Sequence, residues 1–409
     1  MNKSRLDDLI MKQEGLNKLD RNILEEIQLN KLNALLQKEN LRQGFYAHLP
    51  SSLSSLKELP SLPFTTADDL RKQYPRLFLG SSSEVEKVLT EQTSGTTGQA
   101  KRIFYTKDDL EHTVSFFAAG IGEMVREGEK VMIGMPYTGP NSLADLIAQA
   151  VSKCGGIPVQ MQNGSLYEQC AQYHKVQPEC AIDLPVPVLS RARYYESLYG
   201  KGSFPLRKAL LSADACAEAV ERAMEEEFRL ILFPHYGTRE MCFGGAITCE
   251  AHEGMHLREH QIIGEIIDKS GNTVSDGKWG ELVITTVDMK VLPLIRFRTG
   301  DRARFLKEQC PCGSVTRRLD RIRRLGSDAE KLEHLENLFF PMPGIIDLAV
   351  TETEDRYHIE FLVLADTDTE RIRKICSEHD FANEIRIVEK NDRLLYSGKR
   401  VIHHHSYMV

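Results

Sequence analysis

The sequence predicts an α/β protein with a large N-terminal domain and a small α+β domain at its C-terminal end. Three observations carry that expectation. A chain of 409 residues is too long for one simple core, so a large domain with a smaller companion is the expected arrangement. Helix-period and strand-period stretches alternate through most of it, the pattern of an α/β sheet. After "RLDRIRRLGSD" the texture changes to a short β-β-α-β series of its own.

The elements follow in order. In "RLDDLIMKQEGLNKLDRNILEEIQLNKLNALLQKENL" the apolar residues fall three and four apart among charges, so the first forty or so residues read as amphipathic helices docked on the main body. "LPSSLSSLKELPSLPFTTADDLRKQYP" is loop-like, with Pro60 and Pro63 ahead of a helix that Thr66 or Thr65 caps before Asp68 and Asp69. "EKVLTEQ" and "RIFYT" are strand-like, "KDDLEHTVSFFAAGIGEMVRE" has helical period, and "KVMIGM" is strand again. The order repeats with "CGGIPVQM", the helix "DACAEAVERAMEEE" and the strand "RLILFPHYG". A β-rich block then runs from "HQIIGEIID" through "GELVITTV" to "PLIRFRTGD". From about Glu330, "IIDLAVTET", "YHIEFLVLA", "DTERIRKICSEHD" and "EIRIVEK" form the small domain. The basic linker before it, with Arg317, Arg318, Arg321, Arg323, Arg324 and Gly326, reads as a hinge or, more plainly, as a solvated loop. The "HHH" at 403 to 405 reads as a surface tail.

Composition excludes several classes. Hydrophobic residues at 41% and charged residues at 27% describe an ordinary globular chain, neither disordered nor membrane-embedded. A net charge of -7 argues against nonspecific nucleic-acid binding. No stretch reaches the ~18 uncharged apolar residues that a membrane span requires, so the cytoplasm is the expected location. The 9 cysteines, odd in number and spread through a large chain, fit reduced thiols better than a disulfide framework.

The chemistry concentrates first in "EQTSGTTGQAKR". Gly95 and Gly98 let backbone amides approach a ligand, Thr93, Ser94, Thr96 and Thr97 add hydroxyl donors, and Lys101 and Arg102 add charge. Amides, hydroxyls and cations together suit a phosphate chain. A Walker loop needs Lys and then Ser or Thr after its last glycine, whereas Gln99 and Ala100 follow Gly98, so that alternative fails. A polar turn between strands is the plain alternative.

"TSGTTGQAKR" resembles the phosphate loop of the adenylate-forming superfamily, which includes acyl- and aryl-CoA ligases. The surrounding segments narrow the resemblance to phenylacetate-CoA ligases. "LPFTTADDLRKQYP" is similar to a segment upstream of that loop, "HYGTRE" to a Tyr-Gly-x-x-Glu motif and "LPLIRFRTGD" to the ribose motif. "CPCG" and "RRLDRI" resemble the Cys-x-Cys segment and hinge approach, and "SGKRV" a C-terminal lysine motif. The blocks keep the family's order from about residue 59 to 401. The resemblance implies a large adenylate-forming, AMP-binding domain over residues 1–328, with a helical N-terminal segment, and a small C-terminal lid over 329–409.

The resemblance also implies a two-step reaction. A carboxylate attacks the α-phosphate of ATP to give acyl-AMP and pyrophosphate, and a thiol, usually coenzyme A, then displaces AMP. Both steps build charge, so such a site needs positioned cations and Mg2+. Tyr236 would stack on adenine beside Gly237 and Thr238, and Glu240 would assist magnesium or phosphate together with Lys101. Asp301 ends "RTGD" just past a strand, where a carboxylate can accept from two ribose hydroxyls, and Arg321 would be its partner. Ser212, Ala213 and Asp214 occupy the place where the family lines the adenine. Lys399 would neutralise charge on the α-phosphate, although Arg400 beside it competes for that assignment, and Asp328 would be the pivot. The family commonly carries Ser or Thr immediately before the Glu. This chain has Arg239 there and a hydroxyl at Thr238, so the α-phosphate donor stays open.

Cys310 and Cys312 form a knuckle, and "CEAHEGMHLREH" adds Cys249, His252, His256 and His260. Soft Cys and His donors suit a closed structural zinc, and some relatives carry a Cys/His site in these segments. The expected ligands are Cys249, His256, Cys310 and Cys312, with metal-free thiols as the alternative. The acid pocket is expected around Tyr137, Phe243, Gly244 and Gly245, where the glycines leave room for a flat, aromatic acid. The expected partners are therefore a small carboxylic acid, ATP and CoA, with no nucleic acid and no membrane, and a homodimer is one assembly the reading admits. Transfer to a carrier thiol or an amine, or a nucleotide-binding homologue that has lost catalysis, are the alternative functions.

Overall fold

In the computed structural model, residues 4–91, 100–353 and 356–404 are described. Packing divides the chain into two compact units, each made of two chain segments: residues 1–123 with 234–323, and residues 124–233 with 324–409.

The first unit opens with the helices Arg5–Glu14 and Arg21–Arg42, capped by the side chains of Ser4 and Asp20. Thr66 caps the helix Ala67–Lys72 in a reciprocal capping box with Asp69. Strands Lys87–Glu91 and Lys101–Tyr105 pair antiparallel, Glu91 opposite Lys101, and bring the two ends of the glycine-rich segment together. Strands Ile262–Ile267, Gly280–Thr286 and Phe297–Ala303 form an antiparallel meander. Ala246–Ile247, Met255–Leu257 and Arg318–Leu319 form antiparallel ladders beside His235 and Tyr236, so this turn-rich region is ordered by short pairings.

In the second unit the parallel strands Lys208–Leu211, Cys180–Asp183, Lys130–Ile133 and Ile157–Gln160 are adjacent in that order. Every residue of Cys180–Asp183 is buried, as expected for a parallel strand covered on both faces. The C-terminal sheet is ordered Ala382–Ile387, Tyr357–Val363, Ile345–Glu352, His403–His404. The helix Thr369–Glu378 is the one read in the β-β-α-β series, and a further helix, Ser327–Phe339, precedes its first strand. His403 and His404 are exposed and pair in parallel with Thr351 and Glu352, while His405 lies outside the described residues. One apolar core runs through the unit, combining Val186, Leu189, Val220 and Met224 with Phe339, Phe340, Ile345, Ile346 and Leu348. Among the described residues no helix is long and apolar enough to cross a membrane.

Candidate active site and metal cluster

Thr93, Ser94, Gly95, Thr96, Thr97 and Gly98 lie outside the described residues. Lys101, the first residue after that segment to enter a strand, points back to the first unit's acidic loop, and its Nζ lies 2.6 Å from Glu240 Oε1. Both side chains are largely buried, so the pair is stronger than a solvated one.

The loop that carries Glu240 is held in a narrow set of conformations. It leaves the strand Ile231–Tyr236 through Gly237, where an added Cβ would meet the Phe243 carbonyl oxygen at 1.8 Å. A short 3-10 turn, Arg239–Met241, follows, and then Cys242 and Phe243 both take left-handed backbone conformations with φ of 48° and 64°. Two successive non-glycine residues in that region store strain that the surrounding hydrogen bonds must offset. The amides of Met241 and Phe243 both donate to the Thr238 carbonyl, and Tyr105 donates its hydroxyl to the Arg239 carbonyl. Thr238 Oγ1 is buried and makes no hydrogen bond among the described residues. That orphaned hydroxyl is a ready donor for a ligand oxygen, and it stands where the sequence left the α-phosphate donor open.

Tyr236 and Asp301 meet directly. Tyr236 Oη donates to Asp301 Oδ2 at 2.8 Å, and both residues are buried. Burial and the Asp301 charge hold the Tyr236 phenol well above its ordinary range, so it stays a donor. Asp301 is presented where Gly300, at φ 72°, turns the strand Phe297–Ala303, and its amide bonds to Thr299 Oγ1. The first unit thus sets Lys101 on Glu240 and Asp301 on Tyr236, with Thr238 between Tyr236 and Glu240, and the five residues come from three strands and one loop. Arg321 is half-buried in the same unit, where its amide donates to Asp320 Oδ1.

The second unit holds the other expected residues. Ser212 follows the strand Lys208–Leu211, its amide bonded to the Asp183 carbonyl, and Ala213 has φ 67°. Asp214 accepts from the amides of Ala215 and Arg400, at 3.0 and 2.9 Å, and burial raises its pKa. Lys399 is exposed while Arg400 is buried. The Arg400 guanidinium donates to Glu336 Oε1, Asp347 Oδ1 and the Leu348 carbonyl at 2.5 to 2.6 Å. Arg400 is thereby committed to the fold, and Lys399 is the cation of the two that is presented to solvent. Asp328 Oδ2 pairs with His404 Nε2 at 2.7 Å. No short-range pattern could have exposed the Arg400 anchor, since its partners lie 64 and 53 residues away. Tyr137 is exposed in the second unit, and Phe243, Gly244 and Gly245 lie in the Glu240 loop.

Cys249, His256, Cys310 and Cys312 converge in the first unit with their ligand atoms within 4.8 Å of one another. Cys249 Sγ is 3.5 Å from Cys310 Sγ, and Cys312 Sγ is 3.4 Å from His256 Nε2. His256 is held by its strand pairing with Arg318, and the knuckle by the Gly313 amide donating to the Cys310 carbonyl. Three thiols and one imidazole in a mostly buried pocket are the donor set of a closed tetrahedral zinc site, so the residues fit such an ion. His260 stands apart from the cluster, its Nε2 on Gln13 Oε1 at 2.7 Å.

No family model matches the chain. Along the sequence it is 28% identical over 367 residues to the phenylacetate-coenzyme A ligase of Thermus thermophilus, covering 86% of this chain and 81% of that one. It is 29% identical over 268 residues to that of Pseudomonas putida, with 63% and 59% covered, and 29% over 331 residues to that of Aromatoleum evansii, with 77% and 73% covered. In three dimensions it matches a 2-hydroxyisobutyryl-CoA ligase, solved in the postadenylation state in complex with 2-HIB-AMP. The TM-score is 0.77 at 16% identity, over 94% of this chain and 90% of that one, a likeness of fold. In the order of its motifs and in similarity along most of its length the chain resembles the phenylacetate-CoA ligases, and it shares the fold of a solved acyl-CoA ligase.

Proposed function

We propose that the chain is an ATP-dependent carboxylic acid–CoA ligase that forms an acyl-AMP and then an acyl-CoA thioester. The observation that carries this reading is the pair of contacts Lys101–Glu240 and Tyr236–Asp301, with Thr238 between Tyr236 and Glu240 on one strand end and its loop. A cation, an orphaned hydroxyl and a buried carboxylate with a phenolic donor match in sequence the phosphates and ribose of one nucleotide.

In the first step a carboxylate oxygen of the acid attacks the α-phosphorus of ATP. The bond from that phosphorus to the bridging oxygen breaks, and pyrophosphate leaves with the electron pair. Thr238 would donate to an α-phosphate oxygen, Lys101 would hold the phosphate chain, and Asp301 would accept from the ribose hydroxyls. Glu240 would hold magnesium, which screens phosphate charge when bound. Lys399, carried by the small domain over residues 329–409, would meet the charge that develops on the α-phosphate. In the second step the sulfur of CoA attacks the acyl carbon, its proton passes to solvent, and the bond to the AMP oxygen breaks. Cys249, His256, Cys310 and Cys312 would hold a zinc ion that braces the loops behind the ribose motif.

The test is pyrophosphate exchange into ATP, driven by a panel of carboxylic acids that includes phenylacetate, followed by acid- and CoA-dependent AMP release. Lys399→Ala should slow adenylation ~10²-fold or more and leave thioester formation from supplied acyl-AMP close to wild type. Equal losses in both half-reactions would remove the role given to Lys399. Exchange without CoA-dependent AMP release would redirect the acyl group to another acceptor, and silence with every acid would reject the ligase reading.

A further inference from the structure

The helix Arg5–Glu14 reaches the Cys/His cluster through a single carboxylate. Asp7 lies in its first turn and is only 5% exposed. Its Oδ1 accepts from Ser314 Oγ at 2.5 Å and its Oδ2 from the Val315 amide at 3.3 Å. Ser314 Oγ is 2.9 Å from Thr316 Oγ1, which is 2.9 Å from His256 Nδ1, and all three residues are buried.

The polarity of this chain follows from its end. An ionised carboxylate only accepts, so Ser314 gives its one hydroxyl hydrogen to Asp7 and must accept from Thr316. Thr316 has then spent its hydrogen and must accept from His256. That places the imidazole proton on Nδ1 and leaves the lone pair on Nε2, the nitrogen that faces Cys312. Metal-bound histidines are oriented through their second nitrogen in this way, and such outer partners are worth about 10- to 100-fold in metal affinity.

We propose that Asp7 is a positioning residue for the metal. Together with the Thr316 carbonyl, 3.2 Å from the same nitrogen, it fixes His256 in the tautomer that can bind, and the bound ion in turn holds the N-terminal helix on the first unit. The inference rests on the reading of the cluster as a zinc site. The coupling is reciprocal by thermodynamic necessity: if docking of the helix tightens the metal, the metal tightens docking by the same factor. The helix has other anchors in Leu6 and Ile10, both buried, and in the Gln13 to His260 bond, so replacing Asp7 loosens it without unfolding the protein.

The experiment uses the full chain. Zinc affinity is measured by competition with a chromogenic chelator for the wild type, Asp7→Ala, Asp7→Asn and Ser314→Ala. Amide hydrogen exchange of residues 5–14 is followed before and after the metal is stripped. Asp7→Ala and Ser314→Ala should each weaken zinc binding ~10- to 100-fold. Asp7→Asn, which keeps a carbonyl acceptor for Ser314, should lose less. Stripping zinc should speed exchange in 5–14 and leave the strands Ile262–Ile267 and Gly280–Thr286 unchanged. Zinc held equally tightly by the wild type and Asp7→Ala would overturn the relay while sparing the zinc reading, as would exchange of the helix that is indifferent to zinc. A wild type that takes up neither zinc nor cobalt would overturn both.

Discussion

Tyr236 and Asp301 show how much of a site can rest on one hydrogen bond. A buried carboxylate needs donors, and Asp301 receives one from the tyrosine that the sequence placed on the adenine. In the proposed site the tyrosine would do more than offer a ring, because its hydroxyl would set the direction in which Asp301 receives a ribose. Tyr236→Phe removes the donor and keeps the ring. A hydrogen bond to a charged group is worth about 1.5–3 kcal/mol, so KM for ATP should rise roughly 10-fold or more, with a smaller change in kcat. Initial rates over a range of ATP concentration check this, and an unchanged KM would take Asp301 out of the ribose role. At the same scale Lys399 and Arg400 are adjacent cations that sequence cannot rank. Glu336 and Asp347 separate them, by drawing one guanidinium inside and leaving the ammonium outside.

The elements that sequence reveals are those whose surroundings differ from face to face. Arg5–Glu14 and Lys107–Met124 were legible because one side of each meets solvent or a polar loop, so period survives in the residue order, whereas the buried strands Ile262–Ile267 and Gly280–Thr286 show as short runs rich in β-branched residues. The helix Pro185–Tyr199 was not legible. It is buried almost all round, begins with two prolines and carries Ser190, Arg191 and Arg193 inside, so no apolar stripe marks it. The segment from Arg393 to Ile402 has no regular structure, yet it is fastened through Arg400 and through the Leu395 amide on Asp347 Oδ2. Burial is the main cause that pushes Glu336 from 4.5 up to about 7. Arg400 opposes the shift, but the nearby carboxylates of Asp214, on the Arg400 amide, and Asp347, on its guanidinium, add to it. The sign follows from linkage. The folded state holds this proton more tightly than the unfolded chain, so the contribution is fully present below pH 4.5 and is lost as pH rises through 7. Glu336→Gln, which cannot ionise, should therefore gain on the wild type across that window in denaturant titrations. Parallel stability curves for the two proteins would show that Glu336 titrates normally.

At the scale of the molecule, sequence texture and packing draw different outlines. The β-β-α-β series announces itself as a separate piece, but its partner cannot be read from local pattern, because the contacts that join residues 324–409 to 124–233 link groups far apart in the sequence, on helices and loops alike. Arg193 is the sharpest of them: it is 3% exposed, donates to the carbonyls of Ile345 and Phe340 at 2.7 and 2.8 Å, and pairs with Glu227 through two nitrogens. Ser190 Oγ adds a bond of 2.6 Å to the Ile346 carbonyl, and the apolar core closes around both. Buried polar groups satisfied across a seam make separation costly, since each would have to find water or a new partner. Any movement of residues 329–409 as a lid must break these bonds or carry the helix Pro185–Tyr199 with it. Arg193→Ala leaves the carbonyls of Ile345 and Phe340 short of a donor, and each buried polar group left unsatisfied costs about 1–3 kcal/mol. If the seam makes one cooperative body, amide exchange should quicken together in the parallel strands Lys130–Ile133 and Cys180–Asp183 and in the C-terminal strands Ile345–Glu352 and Tyr357–Val363. The meander of the first unit should not respond. Faster exchange confined to the C-terminal strands would instead mark residues 329–409 as a body that opens alone, with Arg193 as the contact that holds it shut.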